Sequence, residues 1–406
     1  MEIEIGRGKK ARRAYGFDEI AIVPSRRTRD PDDVDISWKL GDYRFELPLL
    51  ASAMDGVVSP HTAGLIGQLG GLGVLNLEGI FTRYEDADEQ LEHIARLSKE
   101  QATREMQTIY EAPVQPELIA RRIREIKDQG VVVAASLTPQ RVRQHYELAL
   151  EAGLDILVIQ GTVVSAEHKS EHTTPLNLKE FIREVGVPVV VGGCASYHTA
   201  LHLMRTGAAA VLVGVGPGAA CTTRGVLGIG VPQATAIADA AAARSQHMLE
   251  TGEYVKVIAD GGMRTGGDVS KAVACGADAV MIGSPLACAH EAPGRGFHWG
   301  MATFHASLPR GARVATVQNG TLEGILTGPA HEHEGHNLFG ALRTSMATCG
   351  YKDIAEFNRA ELMIAPALQT EGKQLQASQG VGMGARSGSH AAPANGGEKA
   401  DKAPVA

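Results

Sequence analysis

The chain has 406 residues, 44% of them hydrophobic and 21% charged, a composition typical of a globular protein with a sizeable core. The formal net charge of -7 excludes a general attraction to nucleic acid or to anionic membranes. No apolar stretch approaches the roughly 18 residues of a membrane span, and the N-terminus lacks an apolar signal region. We therefore expect a cytoplasmic protein with neither a nucleic-acid nor a membrane partner.

Two further features of the composition have simple interpretations. The one basic run, residues 6–13, is short and favours a solvated entry segment over a nucleic-acid site. The cysteines are odd in number and form no C-x-x-C pair, which argues against a disulfide framework or a structural zinc site. They are Cys194, Cys221, Cys275, Cys288 and Cys349.

Helical and strand patterns alternate along the chain from residue 116. Residues 116–139 and 138–159 each contain an amphipathic pattern that predicts a helix ending at a glycine, Gly130 or Gly153. A run of Val, Ile, Leu and Ala follows each glycine. Such continuous apolar strands are typical of parallel sheets covered on both faces.

A longer version of this unit occurs twice, in residues 189–214 and 257–283. In both, a Gly-Gly pair follows the first strand, and equal spacings lead to the glycine that ends the helix and then to Gly214 or Gly283 at the end of the second strand. Repeated strand–loop–helix–strand units predict the α/β class and favour a (β/α)8 TIM barrel. An open doubly wound sheet is the alternative.

The predicted barrel is a single domain over residues 1–385, with an N-terminal arm and a C-terminal flap and helices. Residues 386–406 contain almost no large apolar side chain and are predicted to be disordered. In a barrel the functional residues lie where the strands end. In this sequence the strand ends are Gln160, Gly192–Cys194, Gly214–Cys221, Asp260–Gly262 and Gly283–Ser284.

Two glycine-rich loops in adjacent units favour a phosphate and ribose site. Gly261, Gly262 and Gly283 would let backbone amides approach an anion closely. Asp260 could accept hydrogen bonds from both hydroxyls of a ribose. The simpler explanation is that the glycines close tight barrel turns. A P-loop is excluded because neither loop has the Gly-Lys-Ser/Thr end.

Cys221 lies in a glycine-rich stretch, GVGPGAACTTR, residues 214–224. A thiol becomes a nucleophile where amides or a cation favour the thiolate, and the loop and Arg224 could supply both. A lone intracellular cysteine is more often a packed core residue. We interpret the other four cysteines in this way. The carbonyls of the same turn could also coordinate a monovalent cation.

These motifs, together with ASAMDGV at residues 51–57, resemble those of the IMP dehydrogenase/GMP reductase family over most of residues 1–380. The chain resembles in particular the bacterial subfamily without the paired CBS regulatory module, because residues 76–123 leave no room for one. The resemblance implies a (β/α)8 barrel that acts on a purine nucleotide with NAD or NADP. It also implies K+ as a bound cation and a homotetramer or homo-octamer.

The resemblance assigns roles to individual residues. The thiolate of Cys221 would add to C2 of a 6-oxopurine nucleotide, Thr223 would help to activate water or a leaving amine, and Asp260 would hold the ribose. The remaining residues implied for the substrate are Ser52, Gly262, Gly283 and Ser284 at the phosphate, Met54 beside the base, and Gly300, Met301 and Ala302 along the purine. The residues implied for K+ are Gly216, Gly218 and Cys221.

The side expected to hold the dinucleotide departs from the family pattern. Gln160 and Cys194 stand where the family commonly has Asp and Asn, and Thr162 completes the residues expected at the cofactor. Asn319 stands near the place where family members put Glu or Gln against the purine ring.

The water-activating Arg-Tyr pair of the dehydrogenases has no clear counterpart. The flap, residues 304–320, offers Arg310 and Arg313 as candidate catalytic residues that would orient water or the dinucleotide phosphates. Arginine holds its proton too firmly to act readily as a base. An equally favoured interpretation is that both arginines lie on a surface loop and have no catalytic role. The run HEHEGH, residues 331–336, predicts a solvated loop and not a metal site, because it lacks the H-E-x-x-H helix pattern.

The leading functional interpretation is an IMP dehydrogenase that converts IMP, NAD+ and water to XMP and NADH. GMP reductase, which converts GMP and NADPH to IMP and ammonia, is the alternative within the family and suits a short flap. Asn319 in place of a glutamate favours the dehydrogenase. A non-catalytic purine-nucleotide-binding regulator is the alternative of another class. Cys221 and Thr223 argue against it, because binding alone needs no activated thiol.

Overall fold

The structure, a computed structural model, describes residues 2–171, 175–301, 313–328, 337–366 and 373–379. Its centre is a closed barrel of eight strands that neighbour one another in chain order, all pairs being parallel. The barrel strands are β1 (Leu49–Ala51), β2 (Leu72–Asn76), β3 (Ala134–Leu137), β4 (Ile156–Gln160), β5 (Val189–Cys194), β6 (Ala210–Val213), β7 (Lys256–Asp260) and β8 (Ala279–Ile282). Closure confirms the TIM barrel and excludes the open sheet.

Helices surround the barrel, and most of the long ones connect consecutive strands. They are α1 (Pro60–Gln68), α2 (Ala87–Arg96), α3 (Lys99–Glu111), α4 (Pro116–Lys127), α5 (Val142–Glu151), α6 (Leu178–Val185), α7 (Tyr197–Met204), α8 (Thr223–Leu227), α9 (Gln233–Thr251), α10 (Gly266–Ala274), α11 (Leu322–Thr327), α12 (Leu338–Thr348), α13 (Ile354–Phe357) and α14 (Gln374–Gln379). Within the described ranges, none of these helices is long and apolar enough to cross a membrane.

Short elements complete the fold outside the barrel. Four 3-10 helices cover Phe17–Glu19, Pro31–Asp33, Ile80–Thr82 and Leu286–Cys288. Antiparallel strand pairs are formed by Glu2–Gly6 with Lys9–Arg12, Ile20–Ile22 with Leu362–Ile364, Trp38–Leu40 with Tyr43–Phe45, and Phe297–His298 with Val314–Ala315.

The core lies inside the barrel and between the barrel and its helices. Every side chain of β5 and β6 is buried, and in β4 only Gln160, the last residue, is partly exposed. Strands packed on both faces bury apolar residues continuously, as the sequence predicted. Polarity therefore returns only where the strands end.

Close approach of neighbouring backbones explains one of the strand-ending glycines. A Cβ on Gly214, which follows β6, would lie 2.0 Å from the carbonyl oxygen of Asp260 at the end of β7. Only glycine lets the two strand ends meet at this distance. The Cys221 loop therefore starts directly beside Asp260.

Helices α2 and α3 form a hairpin between β2 and α4. Ser98 caps α3 by accepting a hydrogen bond from the Gln101 amide, and the buried face of α3 includes Met106, Ile109 and Tyr110. This hairpin lies within residues 76–123, the segment that we predicted to be too short for a CBS module. The predicted disordered tail, residues 386–406, lies outside the described residues.

Candidate active site

A cavity of about 820 Å³ opens where the barrel strands end. Its wall is built from the loops after β1, β6, β7 and β8 on one side and from the ends of β2, β3 and β4 on the other. The predicted site residues that line it are Ser52, Met54, Gln160, Thr162, Gly216, Gly218, Cys221, Thr223, Asp260, Gly262, Gly283, Ser284, Gly300 and Met301.

Cys221 and Thr223 form a thiol–hydroxyl pair in this wall. The exposed Cys221 thiol donates a hydrogen bond to Thr223 Oγ1 at 3.2 Å. Thr223 is buried and is the first residue of α8, so its hydroxyl is held in place while the thiol faces the cavity. The Cys221 amide donates to the Gly218 carbonyl at 3.0 Å and closes the turn before the helix. A thiol placed in this way can react with a ligand in the cavity.

Arg224 fixes the shape of the loop that carries the thiol. Its guanidinium donates to the carbonyls of Val215 at 3.4 Å and Val231 at 2.7 Å, which tie the two ends of the loop together. A Cβ on Gly216 would collide with its side chain. Arg224 thus serves as a brace for the loop, a role that the sequence did not indicate.

Asp260 ends β7 with its carboxyl group facing the cavity. Burial raises the pKa of this carboxyl to about 7, although a hydrogen bond from Gln160 Nε2 at 3.2 Å acts in the opposite direction. Gln233 holds the main chain at this point, because its Nε2 donates to the carbonyls of Asp260 at 3.0 Å and Val213 at 2.7 Å. The carboxyl therefore changes charge near neutral pH in a fixed position.

The wall after β8 is a close-packed turn that includes Gly283 and Ser284. A Cβ on Gly283 would lie 2.8 Å from Met54 Sδ and 3.4 Å from Ser52 Oγ. The Ser52 amide donates to the carbonyl of Ile282 at 2.9 Å, which joins the loops after β1 and β8. Ser284 follows, and its hydroxyl lies 2.7 Å from Nε2 of the fully buried His298.

The opposite wall, from β2 to β4, presents amide and hydroxyl groups. Asn76 is only 5% exposed, and its Nδ2 has no hydrogen-bond partner among the described residues. Ser136 on β3 is paired with Asn76 across the sheet and also lines the cavity. Gln160 and Thr162 continue this wall. Because β2 lies across the closed barrel from β6, the polar wall faces the loop of Cys221.

A buried hydrogen-bond chain positions the segment that contributes Gly300 and Met301 to the cavity. Trp299 Nε1 donates to the Tyr110 hydroxyl at 2.7 Å, and this hydroxyl donates to Asp55 Oδ2 at 2.5 Å. All three side chains are buried. Helix α3, the loop after β1 and the segment after His298 are thereby joined.

Three predicted residues are not brought to the cavity. Cys194 is 1% exposed, burial raises the pKa of its thiol to about 12, and the thiol faces the Leu212 carbonyl at 3.5 Å. The strand register shifts between Gly192 and Cys194, and such a bulge re-aims a side chain. The expectation of a cofactor contact is therefore corrected for Cys194: its thiol belongs to the core.

Arg313 and Asn319 also lie away from the cavity lining. Arg313 donates to the carbonyls of Ile94 and Leu97 at the end of α2 and stacks on the Phe297 ring at 4.1 Å. The backbone N–H of Asn319 donates to the backbone carbonyl of Cys288 at 2.7 Å. In this arrangement Arg313 supports α2 instead of orienting water. Arg310, Ala302 and the run 331–336 lie outside the described residues.

Several cavity residues were missed by the sequence interpretation. Asn76 and Ser136 lie within apolar strand patterns, and Gln233 starts a helix. The signal that could have found Asn76 and Ser136 is a polar residue in an otherwise apolar barrel strand near its carboxyl end. The N-terminal segment contributes Gly16, Phe17 and Asp18. No cluster of three metal-ligating His, Cys, Asp or Glu side chains occurs in the part of the chain that the structure describes.

The fold and the cavity define an α/β barrel whose mouth presents a thiol–hydroxyl pair and a carboxyl group. Residues 14–374 match the sequence profile of the IMP dehydrogenase / GMP reductase domain. The chain belongs to the IMP dehydrogenase/GMP reductase family.

Individual relatives agree with this assignment. An uncharacterized oxidoreductase of Mycolicibacterium smegmatis is 48% identical over 89% of this chain and 99% of the relative. The inosine-5'-monophosphate dehydrogenase of Methanocaldococcus jannaschii is 26% identical over 89% of this chain and 95% of that protein. The crystal structure of an IMP dehydrogenase/GMP reductase-like protein from Corynebacterium glutamicum superposes with a TM-score of 0.84 at 44% identity, covering 89% of this chain and 97% of that chain.

Proposed function

We propose that the protein is an IMP dehydrogenase, which oxidises IMP to XMP with NAD+ and water. The observation that carries the proposal is the thiol–hydroxyl pair of Cys221 and Thr223, 3.2 Å apart, in the same cavity as the Asp260 carboxyl and the Ser284 hydroxyl. A thiol nucleophile, a ribose acceptor and a phosphate turn match the three parts of IMP that must be held or attacked.

In the proposed reaction, the Cys221 thiolate attacks C2 of IMP and a sulfur–carbon bond forms. The hydrogen on C2 then leaves with its electron pair, for which bound NAD+ supplies the acceptor, and the purine stays attached through a thioimidate. Water adds to C2, the sulfur–carbon bond breaks and XMP leaves with the regenerated thiol. Thr223 Oγ1, which accepts a hydrogen bond from the free thiol at 3.2 Å, would lie beside the thioimidate, accept a proton from the attacking water and pass its own hydroxyl proton on.

The polar wall opposite Cys221 fits the dinucleotide. Nδ2 of Asn76, which has no hydrogen-bond partner within the described ranges, is a buried donor that a carboxamide oxygen of the nicotinamide would satisfy. Gln160 and Thr162 offer polar groups for the adjoining ribose. These residues would hold the ring against C2 of the nucleotide, across the cavity from the thiol.

The case for K+ rests on the resemblance to the family. Of the three proposed ligands, Gly216, Gly218 and Cys221, the Gly218 carbonyl already accepts the Cys221 amide at 3.0 Å. It would bind a cation with its second lone pair. No step above depends on K+. The homo-oligomer and the cytoplasmic location remain predictions from the sequence.

The test is the absorbance of reduced nicotinamide in a K+ buffer with two mixtures, IMP with NAD+ and GMP with NADPH. The proposal predicts a rise in the first mixture that Cys221→Ala lowers at least about a thousandfold. The matched control is Cys275→Ala, because Cys275 is buried and does not line the cavity. This variant should keep its activity.

The other outcomes contradict the proposal in different ways. A fall in absorbance with GMP and NADPH, without a rise in the first mixture, would identify a GMP reductase. An unchanged absorbance in both mixtures, with IMP still bound by the wild type and by Cys221→Ala, would identify a purine-nucleotide-binding regulator.

A further inference from the structure

We infer that His298 is a positioning residue that donates a hydrogen bond to Ser284 and so directs the Ser284 hydroxyl proton towards the phosphate of the bound nucleotide. The inference rests on the proposed function, because it assumes a purine 5'-nucleotide in the cavity. It assigns a role to a histidine that itself does not line the cavity.

The geometry of the pair is fixed from behind the cavity. His298 Nε2 lies 2.7 Å from Ser284 Oγ, and the imidazole is fully buried. The strand Phe297–His298 pairs with Val314–Ala315, and its other side is covered so closely that a Cβ on Gly56 would lie 2.6 Å from the Phe297 carbonyl oxygen. The main chain that carries the imidazole is therefore enclosed on both sides.

The position of the ring proton follows from what each nitrogen can reach. Nδ1 of His298 is buried and has no hydrogen-bond partner among the described residues. A proton on Nδ1 would be a buried donor without an acceptor, which folded proteins avoid more strictly than an unused acceptor. The proton therefore belongs on Nε2, where Ser284 Oγ accepts it. Burial lowers the pKa of His298 to about 4, so the ring stays neutral at neutral pH.

This tautomer determines what Ser284 can recognise. A hydroxyl group has one proton to donate, and its oxygen accepts. Because the oxygen already accepts from His298 and the hydroxyl has no other partner among the described residues, the proton is left to donate into the cavity. A phosphate oxygen only accepts hydrogen bonds and is charged, so it matches this donor. His298 thus acts on the phosphate through Ser284.

The experiment is a double-mutant cycle on the dissociation constant of IMP, measured by isothermal titration calorimetry without NAD+. His298→Phe should weaken binding about five- to tenfold in the wild-type background, as the loss of one oriented charge-assisted hydrogen bond predicts. In the Ser284→Ala background the same change should weaken binding less than about twofold. His298→Gln, whose amide can still donate to Ser284, should bind within about twofold of the wild type.

A control variant separates the positioning role of His298 from a general loss of structure. His145→Phe replaces another buried histidine that has one ring nitrogen, Nε2, without a partner in the described part of the chain and that does not line the cavity, so IMP affinity should not change. Equal weakening by His298→Phe in both backgrounds, or weakening by His298→Gln as large as that by His298→Phe, would overturn the inference. Absence of IMP binding by the folded wild type would instead overturn the proposed function, and the inference with it.

Discussion

Asp260 shows how one residue can make nucleotide binding depend on pH. Its carboxyl group ends β7 beside the cavity, where the residue is partly exposed, and desolvation raises its pKa to about 7. A carboxylate accepts two ribose hydroxyls, whereas the protonated acid gives up one acceptor site to its own proton. Because a ligand that donates to the carboxylate favours the ionised form, binding and deprotonation of Asp260 support each other.

We predict that IMP affinity rises between about pH 6 and pH 8 and then levels off, because Asp260 becomes ionised over this interval. The measurement is the dissociation constant of IMP as a function of pH for the wild type and Asp260→Asn. The variant controls for the phosphate of IMP, which titrates near pH 6 in both proteins. A pH dependence of the same size in the variant would contradict the assignment.

A site residue could be predicted from the sequence where the pattern that marks it lies within a few neighbouring residues. Cys221 and Ser284 follow glycines near strand ends, and Asp260 precedes a Gly-Gly pair, patterns that are visible in a few consecutive letters. His298 lies 14 positions from Ser284, and nothing in either segment indicates the bond between them. Cys194 also ends a strand, but the bulge that turns its thiol into the core has no signature in the sequence.

Helix α3 supports the candidate site from outside the barrel through Tyr110, and its Thr103 also lines the cavity. Through Tyr110 it joins Asp55, after β1, to Trp299, which precedes the cavity residues Gly300 and Met301. The sequence of α3 has its buried residues at helical spacing, Ala102, Met106, Ile109 and Tyr110. It could not show the partners of Tyr110, because they lie 55 and 189 positions away.

Tyr110→Phe should lower the free energy of unfolding by about 2–4 kcal/mol, because it leaves the buried Trp299 N–H and Asp55 Oδ2 without this hydroxyl. Urea denaturation of the variant and the wild type measures the difference. Tyr197→Phe is the matched control. The Tyr197 ring stacks edge-on against His198 and is half-buried. A loss below about 0.5 kcal/mol for Tyr110→Phe would contradict a structural role for the chain of hydrogen bonds.

At the scale of the whole molecule, a single cavity collects residues from almost every strand of the barrel. The alternation of strands and glycine-ended helices predicted the closed barrel from the sequence, because each unit is built from near neighbours in the chain. The contents of the cavity are set by long-range contacts across the mouth. For this reason the wall of β2 and β3, with Asn76 and Ser136, emerged only from the structure.

Since the cavity joins so many elements, its ligand should stabilise the whole fold. IMP at about 100 times its dissociation constant should add about 2.7 kcal/mol and raise the thermal midpoint by several degrees. Differential scanning fluorimetry with and without IMP measures the shift. Asp260→Asn at the same IMP concentration should shift less. No shift in the wild type, or an equal shift in the variant, would contradict the proposed site.

The proposed covalent bond between Cys221 and the purine can be trapped by an acid quench during the first turnover. Thr223→Val should slow hydrolysis more than attack, so that the adduct accumulates while NADH appears. Mass spectrometry should then find the peptide with Cys221 heavier by IMP less two hydrogen atoms. NADH formation with the Cys221 peptide unmodified, or with the purine attached to another residue, would contradict the account.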